Sequence, residues 1–208
     1  MNWMKKVAVA LVCLLPLGLQ AAKVDTLQVK SPSMNKSIEV VVVSPDVAAT
    51  KACPVIYLLH GYGGNARTWV GIKPDLPKIA DEKGIFFVCP DGKNTWYWDS
   101  PLNADVRYET FISNELVKYV DSHYKTVADR KGRAITGLSM GGHGAMWNGL
   151  RHSDVFSAAG STSGGVDIRP FPKNWEMSVQ IGEKAKYPEN WEKYTAVSYT
   201  HLRAHETV

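Results

Sequence analysis

The sequence predicts an α/β fold, with a mostly parallel central sheet and helices on both of its faces. Two segments, 54–59 and 85–89, are apolar throughout, which is the pattern of a strand buried on both faces of a parallel sheet. A third, less apolar strand is expected at 133–138. Helical segments separate these strands, as in right-handed β-α-β crossovers. An antiparallel hairpin formed by 26–30 and 37–43 is expected to precede them.

A helix is expected to begin at Tyr108, between the second and third apolar strands. Apolar side chains recur there at the spacing of one helix face, and they are Ile112, Leu116, Tyr119 and Val120. The polar side chains that this spacing turns toward solvent are Glu109, Asn114, Lys118 and Asp121. We therefore expect the helix to pack on the sheet through the first set.

The chain is expected to divide into a leader, a single α/β domain and a short tail. Residues 1–22 predict a secretory signal peptide, because Lys5 and Lys6 precede an apolar run from Val7 to Leu19. That run has too few residues for a membrane-spanning helix, which needs roughly 20. Residues 23–195 form the predicted domain. Residues 196–208 resemble neither a strand nor an amphipathic helix and are expected to be unrelated sequence.

Composition favours a globular protein, and the predicted signal peptide indicates that it is secreted or periplasmic. The 208 residues are 45% hydrophobic and 21% charged. Removing the leader with its two lysines lowers the net charge from +4 to +2, which gives no indication of nucleic-acid binding. No second long apolar segment follows, so no membrane association is expected after cleavage.

The two cysteines of the predicted domain are expected to stay unpaired. Cys53 lies at the start of one predicted parallel strand and Cys89 at the end of its neighbour. That arrangement separates them by about 20 Å, whereas a disulfide needs Cα atoms within about 7 Å.

The candidate nucleophile is Ser139, in Gly137-Leu138-Ser139-Met140-Gly141. This matches G-x-S-x-G, in which a serine occupies a strained strand-to-helix turn and the flanking glycines avoid collisions with neighbouring backbone. An apolar strand precedes the motif, and small residues follow it, so a helix can approach the sheet closely. The motif and its context predict an α/β-hydrolase that acts through a serine.

A glycine-rich loop, His60-Gly61-Tyr62-Gly63-Gly64, directly follows the first buried strand. Acyl transfer passes through a tetrahedral oxyanion, and such a loop can direct backbone N–H groups toward it. We expect the two donors to be the backbone amides of Tyr62 and Met140. The loop lacks the patterns of phosphate-binding loops. His60 is a candidate pocket residue that we expect to brace the loop rather than act as a base.

Three consecutive aromatic residues, Trp96, Tyr97 and Trp98, follow the second buried strand. Ligands of open α/β sheets bind at the carboxyl ends of the strands. These side chains are therefore candidate walls of a substrate pocket, and packing beneath a lid formed by 170–194 is the alternative.

These motifs, taken with Asp99-Ser100-Pro101, Tyr108-Glu109, Asn114-Glu115-Leu116 and Gly142-His143-Gly144-Ala145, resemble the esterase D family of α/β-hydrolases. That group includes feruloyl, acetyl-xylan and tributyrin esterases and S-formylglutathione hydrolases, and the mycolyltransferases are similar. The resemblance runs from Val24 to Tyr194. It implies ester hydrolysis through an acyl-enzyme on Ser139, with small-molecule or polysaccharide-linked esters as substrates.

The remainder of a catalytic triad is not evident in the sequence. In α/β-hydrolases an acid and then a histidine follow the serine. Here Asp167 is the last aspartate, and only His201 and His205 follow it among histidines, without a predicted strand to hold them. We therefore expect the last strands of the fold to be missing and the activity of this chain to be impaired. Two histidines without a third ligand do not predict a zinc site, and no cofactor is expected.

Two other functions are compatible with these residues. An acyl-enzyme on Ser139 could transfer its acyl group to a sugar or lipid hydroxyl, as in a mycolyltransferase-like acyltransferase. A pseudo-hydrolase that binds carbohydrate without chemistry would explain the missing base. The intact serine motif argues against the pseudo-hydrolase, but it does not separate hydrolysis from acyl transfer, because both begin with the same acyl-enzyme.

Overall fold

The computed structural model describes residues 22–165 and 167–194. Its strands are β1 (Lys23–Ser31), β2 (Lys36–Ser44), β3 (Val55–Leu59), β4 (Phe86–Pro90), β5 (Arg133–Gly137) and β6 (Ala158–Ala159). Its helices are α1 (Thr68–Ile72), α2 (Leu76–Lys83), α3 (Tyr108–Thr110), α4 (Leu116–His123), α5 (Met140–Arg151) and α6 (Met177–Ile181). A π-helical turn at Phe111–Glu115 joins α3 to α4, short 3-10 turns lie at Asp46–Ala49 and Arg130–Gly132, and 188–194 is helical. The predicted tail and all of the predicted signal peptide except Ala22 lie outside the described residues.

One sheet of six strands runs through the structure, in the order β1-β2-β4-β3-β5-β6. The hairpin strands β1 and β2 are antiparallel, and β2 is antiparallel to β4. The strands β4, β3, β5 and β6 run parallel to one another. The expected α/β fold, its hairpin and its three apolar strands are confirmed. The strand that follows α5 is short, because only Ala158 and Ala159 pair with β5.

The sheet is covered on both faces, as the apolar strands predicted. Tyr57 and Leu59 of β3 belong to a core cluster that includes Leu116 and Trp147, from α4 and α5. Leu58 points to the opposite cluster, which includes residues of α2. Because β4 lies on one side of β3 and β5 on the other, the loops after β3 and β5 meet where the strand order reverses, the usual ligand-binding position in such sheets.

The two cysteines of the predicted domain, Cys53 and Cys89, are free and buried, as expected. Cys53 precedes β3, whereas Cys89 lies near the carboxyl end of the neighbouring β4, where it pairs with Val41 of β2. Burial raises the pKa of both thiols, that of Cys89 to about 12. The parallel strands therefore keep the two cysteines apart, and burial keeps their thiols unreactive.

The prediction that Glu109 faces solvent is wrong. Its carboxylate accepts hydrogen bonds from the side chains of Trp147 at 2.7 Å and Arg151 at 2.8 Å, and it lies 2.9 Å from Nε2 of His152. Burial alone would raise its pKa, but the bonds to His152, Arg151 and Trp147 lower it to about 2. Glu109 thus joins the start of the 108–123 helix to α5, the helix that follows Ser139.

This network predicts a specific dependence of stability on pH. The folded-state pKa of Glu109 lies below its ordinary value of 4.5, so its stabilisation is complete above about pH 4.5 and disappears as the pH falls toward 2. At neutral pH, Glu109→Gln should cost on the order of 3 kcal/mol. Urea unfolding of both proteins at several pH values should show this difference shrinking with acid. A difference that stays constant with pH would contradict the assignment.

Candidate active site

Ser139 lies in the tight turn between β5 and α5 with a backbone φ of +53°, a conformation that non-glycine residues rarely adopt. The two motif glycines make the turn possible. An alanine Cβ at Gly137 would lie 2.3 Å from the carbonyl oxygen of Gly141, and one at Gly141 would lie 2.2 Å from that of Leu59. Only residues without side chains at both positions allow the bend to lie this close to β3.

The strained turn is held by main-chain hydrogen bonds on both sides. The amide of Ser139 donates to the carbonyl of Thr162 at 2.9 Å, and the amide of Leu138 donates to that of Leu59 at 3.2 Å. Neighbouring segments therefore maintain the unfavourable φ, while the serine itself stays exposed and lines a cavity. Its hydroxyl is accessible to a ligand.

The loop after β3 forms a type II turn over 61–64. The amide of Gly64 donates to the carbonyl of Gly61 at 3.0 Å, and Gly63 has a φ of +76° at the position where such turns require glycine. The amide of Gly63 donates to Oδ1 of Asn94 at 2.8 Å. This turn uses the amides of Gly63 and Gly64 and leaves that of Tyr62 for another acceptor.

The turn and the serine are close neighbours. A Cβ at Gly61 would lie 3.4 Å from Cβ of Ser139 and 2.7 Å from the Leu138 side chain. Met140 is the first residue of α5, and amides of the first helical turn have no acceptor within the helix. The structure thus brings together the three residues that the sequence predicted, because Tyr62, Ser139 and Met140 line one cavity.

His60 is buried beneath this loop and is not placed as a base. Its Nδ1 lies 2.7 Å from the carbonyl oxygen of Gly61, and its Nε2 accepts from the amide of Gly92 at 2.9 Å. An imidazole that accepts at Nε2 carries its proton on Nδ1, so it donates to Gly61. Both nitrogens are occupied, and the ring ties the loop after β3 to the loop after β4.

A cavity of about 200 Å³ opens beside Ser139. Its walls combine the two motif loops with the segment between β6 and α6, and they are formed by Tyr62, Trp96, Ser139, Met140, Ser163, Gly164, Gly165, Asp167, Ile168, Phe171 and Trp175. Most of these side chains are apolar or aromatic. The cavity is suited to a small apolar group placed beside the Ser139 hydroxyl.

Of the predicted aromatic walls, only Trp96 lines the cavity. Tyr97 and Trp98 are fully buried below it, so the pocket prediction is corrected for them, as it is for His60. Tyr97 donates its hydroxyl to the carbonyl of His60 at 3.1 Å, and Trp98 stacks on Trp96 with ring centroids 5.6 Å apart. These two residues support the site from behind.

The sequence did not predict most of the cavity residues that lie between β6 and α6. Ser163, Gly164 and Gly165 follow β6, and Ile168, Phe171 and Trp175 come from a segment without periodicity. The sequence feature that could have predicted them is their position directly after β6, because ligands bind at the carboxyl ends of such strands. The Gly164-Gly165 pair marks a close approach, because a Cβ at Gly164 would lie 2.6 Å from the backbone of Gly142.

No histidine among residues 22–165 and 167–194 is hydrogen-bonded to the Ser139 hydroxyl. His123 lies on α4 beside the carbonyl of Tyr119, and His152 contacts Glu109. Asp167 does line the cavity, but its carboxylate is paired with Arg169 through bonds of 2.8 Å and 2.6 Å, the first cause of its lowered pKa. Within the same ranges, no group of three or more acidic, histidine or cysteine residues could hold a metal ion.

A serine at positive φ between a parallel strand and a helix, at the carboxyl edge of a mixed sheet, defines an α/β-hydrolase. Comparison with known proteins narrows the class. The chain belongs to the family described as "Putative esterase", whose profile matches residues 31–207.

Similar proteins carry names of the same kind. Esterase Rv1288 of Mycobacterium tuberculosis is 30% identical over 149 residues, which cover 68% of this chain and 32% of the relative. An acetyl esterase of Caldicellulosiruptor saccharolyticus is 32% identical over 102 residues, covering 49% of this chain and 37% of that one. A solved ferulic acid esterase matches with a TM-score of 0.65 and 30% identity, covering 84% of this chain and 71% of its own.

The chain spans about a third of the length of these curated relatives. No helix within the described ranges has the length and apolar character needed to cross a bilayer.

Proposed function

We propose that this protein is a serine carboxylic-ester hydrolase that works through an acyl-enzyme on Ser139. The observation that carries the proposal is the exposed Ser139, which is held at positive φ beside a cavity. Next to it lies the 61–64 turn, whose hydrogen bonds do not use the amide of Tyr62. Such geometry suits attack on an ester carbonyl. The resulting oxyanion would accept hydrogen bonds from the amides of Tyr62 and Met140.

The reaction would proceed in two steps. The Ser139 oxygen bonds to the carbonyl carbon as its proton passes to a base. The tetrahedral intermediate then expels the alcohol, which takes that proton, and water cleaves the acyl-enzyme in the same manner. Since the described histidines are engaged elsewhere, we place the base outside the described residues.

The cavity supports a short or single-ring acyl group as substrate. Its volume of about 200 Å³ is smaller than the roughly 300 to 1,000 Å³ that is usual for ligand pockets. Trp96, Phe171 and Trp175 supply aromatic surface, which suits acetyl, other short-chain or feruloyl esters. With the predicted signal peptide, we propose export and esters that are linked to polysaccharides. Whether water or an added glycan accepts the acyl group is decided by product analysis.

Covalent labelling tests the proposal. The full chain is incubated with a fluorophosphonate, with and without added imidazole as a substitute base, and the modified peptide is identified by mass spectrometry. We expect the label on Ser139, at a rate that rises with imidazole, and no label in Ser139→Ala. If Ser139 stays unmodified under both conditions in folded protein, the esterase proposal fails and a non-catalytic binding role is favoured.

A further inference from the structure

His143 lies four residues after Ser139 and is buried, with 3% of its surface exposed. Its amide donates to the carbonyl of Ser139 at 3.0 Å, so it belongs to the first turn of the helix that carries the nucleophile. Both ring nitrogens have partners. Nδ1 lies 2.7 Å from the carbonyl oxygen of Gly165, and Nε2 lies 3.1 Å from the indole nitrogen of Trp98.

These partners define the protonation state of the ring. An indole N–H can only donate, so Nε2 of His143 accepts from Trp98, and the ring proton resides on Nδ1 and is donated to Gly165. Burial lowers the pKa of His143 to about 4, so the ring is neutral at pH 7. His143 is therefore an uncharged bridge between two groups and not a base for Ser139.

The two groups lie at or behind different parts of the cavity lining. Gly165 directly follows Ser163 and Gly164, and all three line the cavity at the start of the segment between β6 and α6. Trp98 supports Trp96, which lines it on the side of the β4 loop. The His143 ring also contacts Trp96 edge-on, with centroids 5.2 Å apart. One side chain thus contacts the supports of both walls.

We propose that His143 is a positioning residue that sets the width of the acyl cavity by holding the 163–165 wall and the Trp96–Trp98 stack at a fixed separation. This inference rests on the proposed function for its acyl group, but the structural bridge itself does not. A substrate whose acyl group reaches both walls should depend on His143. An acetyl group, which is too small to reach both, should not.

Two substitutions separate the two hydrogen bonds. His143→Asn retains a donor near the position of Nδ1 and removes the acceptor for Trp98. His143→Gln places an oxygen near the position of Nε2 and removes the donor to Gly165. The matched control is His152→Asn, which also removes a histidine hydrogen bond. That bond is to the carboxylate of Glu109, away from the cavity. Unfolding in urea measures the stability of all three proteins.

Binding provides a measurement that does not require turnover. In a Ser139→Ala background, methyl cinnamate should quench the fluorescence of the cavity tryptophans, and each His143 variant should raise its Kd about 5- to 10-fold, the effect of losing one buried hydrogen bond. Added His152→Asn should leave this Kd unchanged. Unchanged Kd values in both folded His143 variants, or an equal rise in the control, would overturn the proposal.

Turnover completes the test. With the Ser139 protein, kcat/KM for 4-nitrophenyl cinnamate should fall about 5- to 10-fold in the His143 variants, and that for 4-nitrophenyl acetate less than about 3-fold. The leaving group is the same, so the ratio reports the acyl cavity alone. A wild-type protein without Ser139-dependent hydrolysis even in the presence of added imidazole would defeat the esterase proposal, whereas the Kd values would still decide the role of His143.

Discussion

Tyr62→Pro is expected to slow acylation of Ser139 about 10²- to 10³-fold relative to Tyr62→Ala, the usual effect of removing one oxyanion-hole donor. Proline lacks the main-chain N–H that we assign to the oxyanion. It also suits the second position of a type II turn, which Tyr62 occupies, because its fixed φ matches that position. The substitution therefore removes the donor without a requirement to rebuild the loop.

Tyr62→Ala is the matched control because it removes the same side chain from the cavity and keeps the amide. Acylation is followed through release of 4-nitrophenol from 4-nitrophenyl acetate, and the Tm of each variant shows whether the turn is intact. Proline at a compatible position should leave Tm equal or slightly higher. If Tyr62→Pro remained within about 3-fold of Tyr62→Ala with an unchanged Tm, the Tyr62 amide would not serve the oxyanion.

The parts of the site that could be predicted from sequence are those that depend on adjacent residues. The apolar run 54–59 predicted a central strand, and the strand order then determined which loops meet. The glycines around Ser139 predicted a close approach of backbone, and the structure shows the carbonyl of Leu59 where a side chain at Gly141 would be. Each of these patterns lies within a few consecutive residues and has a single structural explanation.

The orientation of consecutive aromatic residues could not be predicted in this way. Trp96 and Tyr97 both have positive φ, 59° and 60°, so the chain there follows neither the period of a strand nor that of a helix. Trp96 reaches the cavity, while the Tyr97 ring fills the space between Gly92 and Gly144. Those two glycines are distant in sequence, and only the fold brings them together.

Glu109 illustrates a different limit. Helix periodicity correctly buried Ile112 and Leu116, but it assumes that a carboxylate has no partner inside the protein. The partners of Glu109 lie about 40 residues later, on and just after α5, and they make burial of the charge favourable. Periodicity describes one element at a time and contains no information about such pairs.

Gly141→Ala should destabilise the fold by at least about 3 kcal/mol, although alanine is the better helix former by roughly 1 kcal/mol. The added Cβ would lie 2.2 Å from the Leu59 carbonyl oxygen and 2.5 Å from that of His60. Both are main-chain atoms of the sheet and its first loop, so they cannot move aside as a flexible side chain could. The helix must instead shift away from β3, and Ser139 shifts with it.

Gly71→Ala is the matched control, since Gly71 also lies within a helix, α1, but its Cβ position has no atom within 4 Å apart from its chain neighbours and the backbone of its own helix. There alanine should be neutral or stabilising by up to about 1 kcal/mol. Urea unfolding measures both variants, and fluorophosphonate labelling reports the geometry at Ser139. We expect Gly141→Ala to lose labelling even under conditions in which it remains folded, because its displaced helix separates Ser139 from the Tyr62 turn. Stability within about 1 kcal/mol of the unsubstituted protein, together with an unchanged labelling rate, would show that the close contact between α5 and β3 is not required.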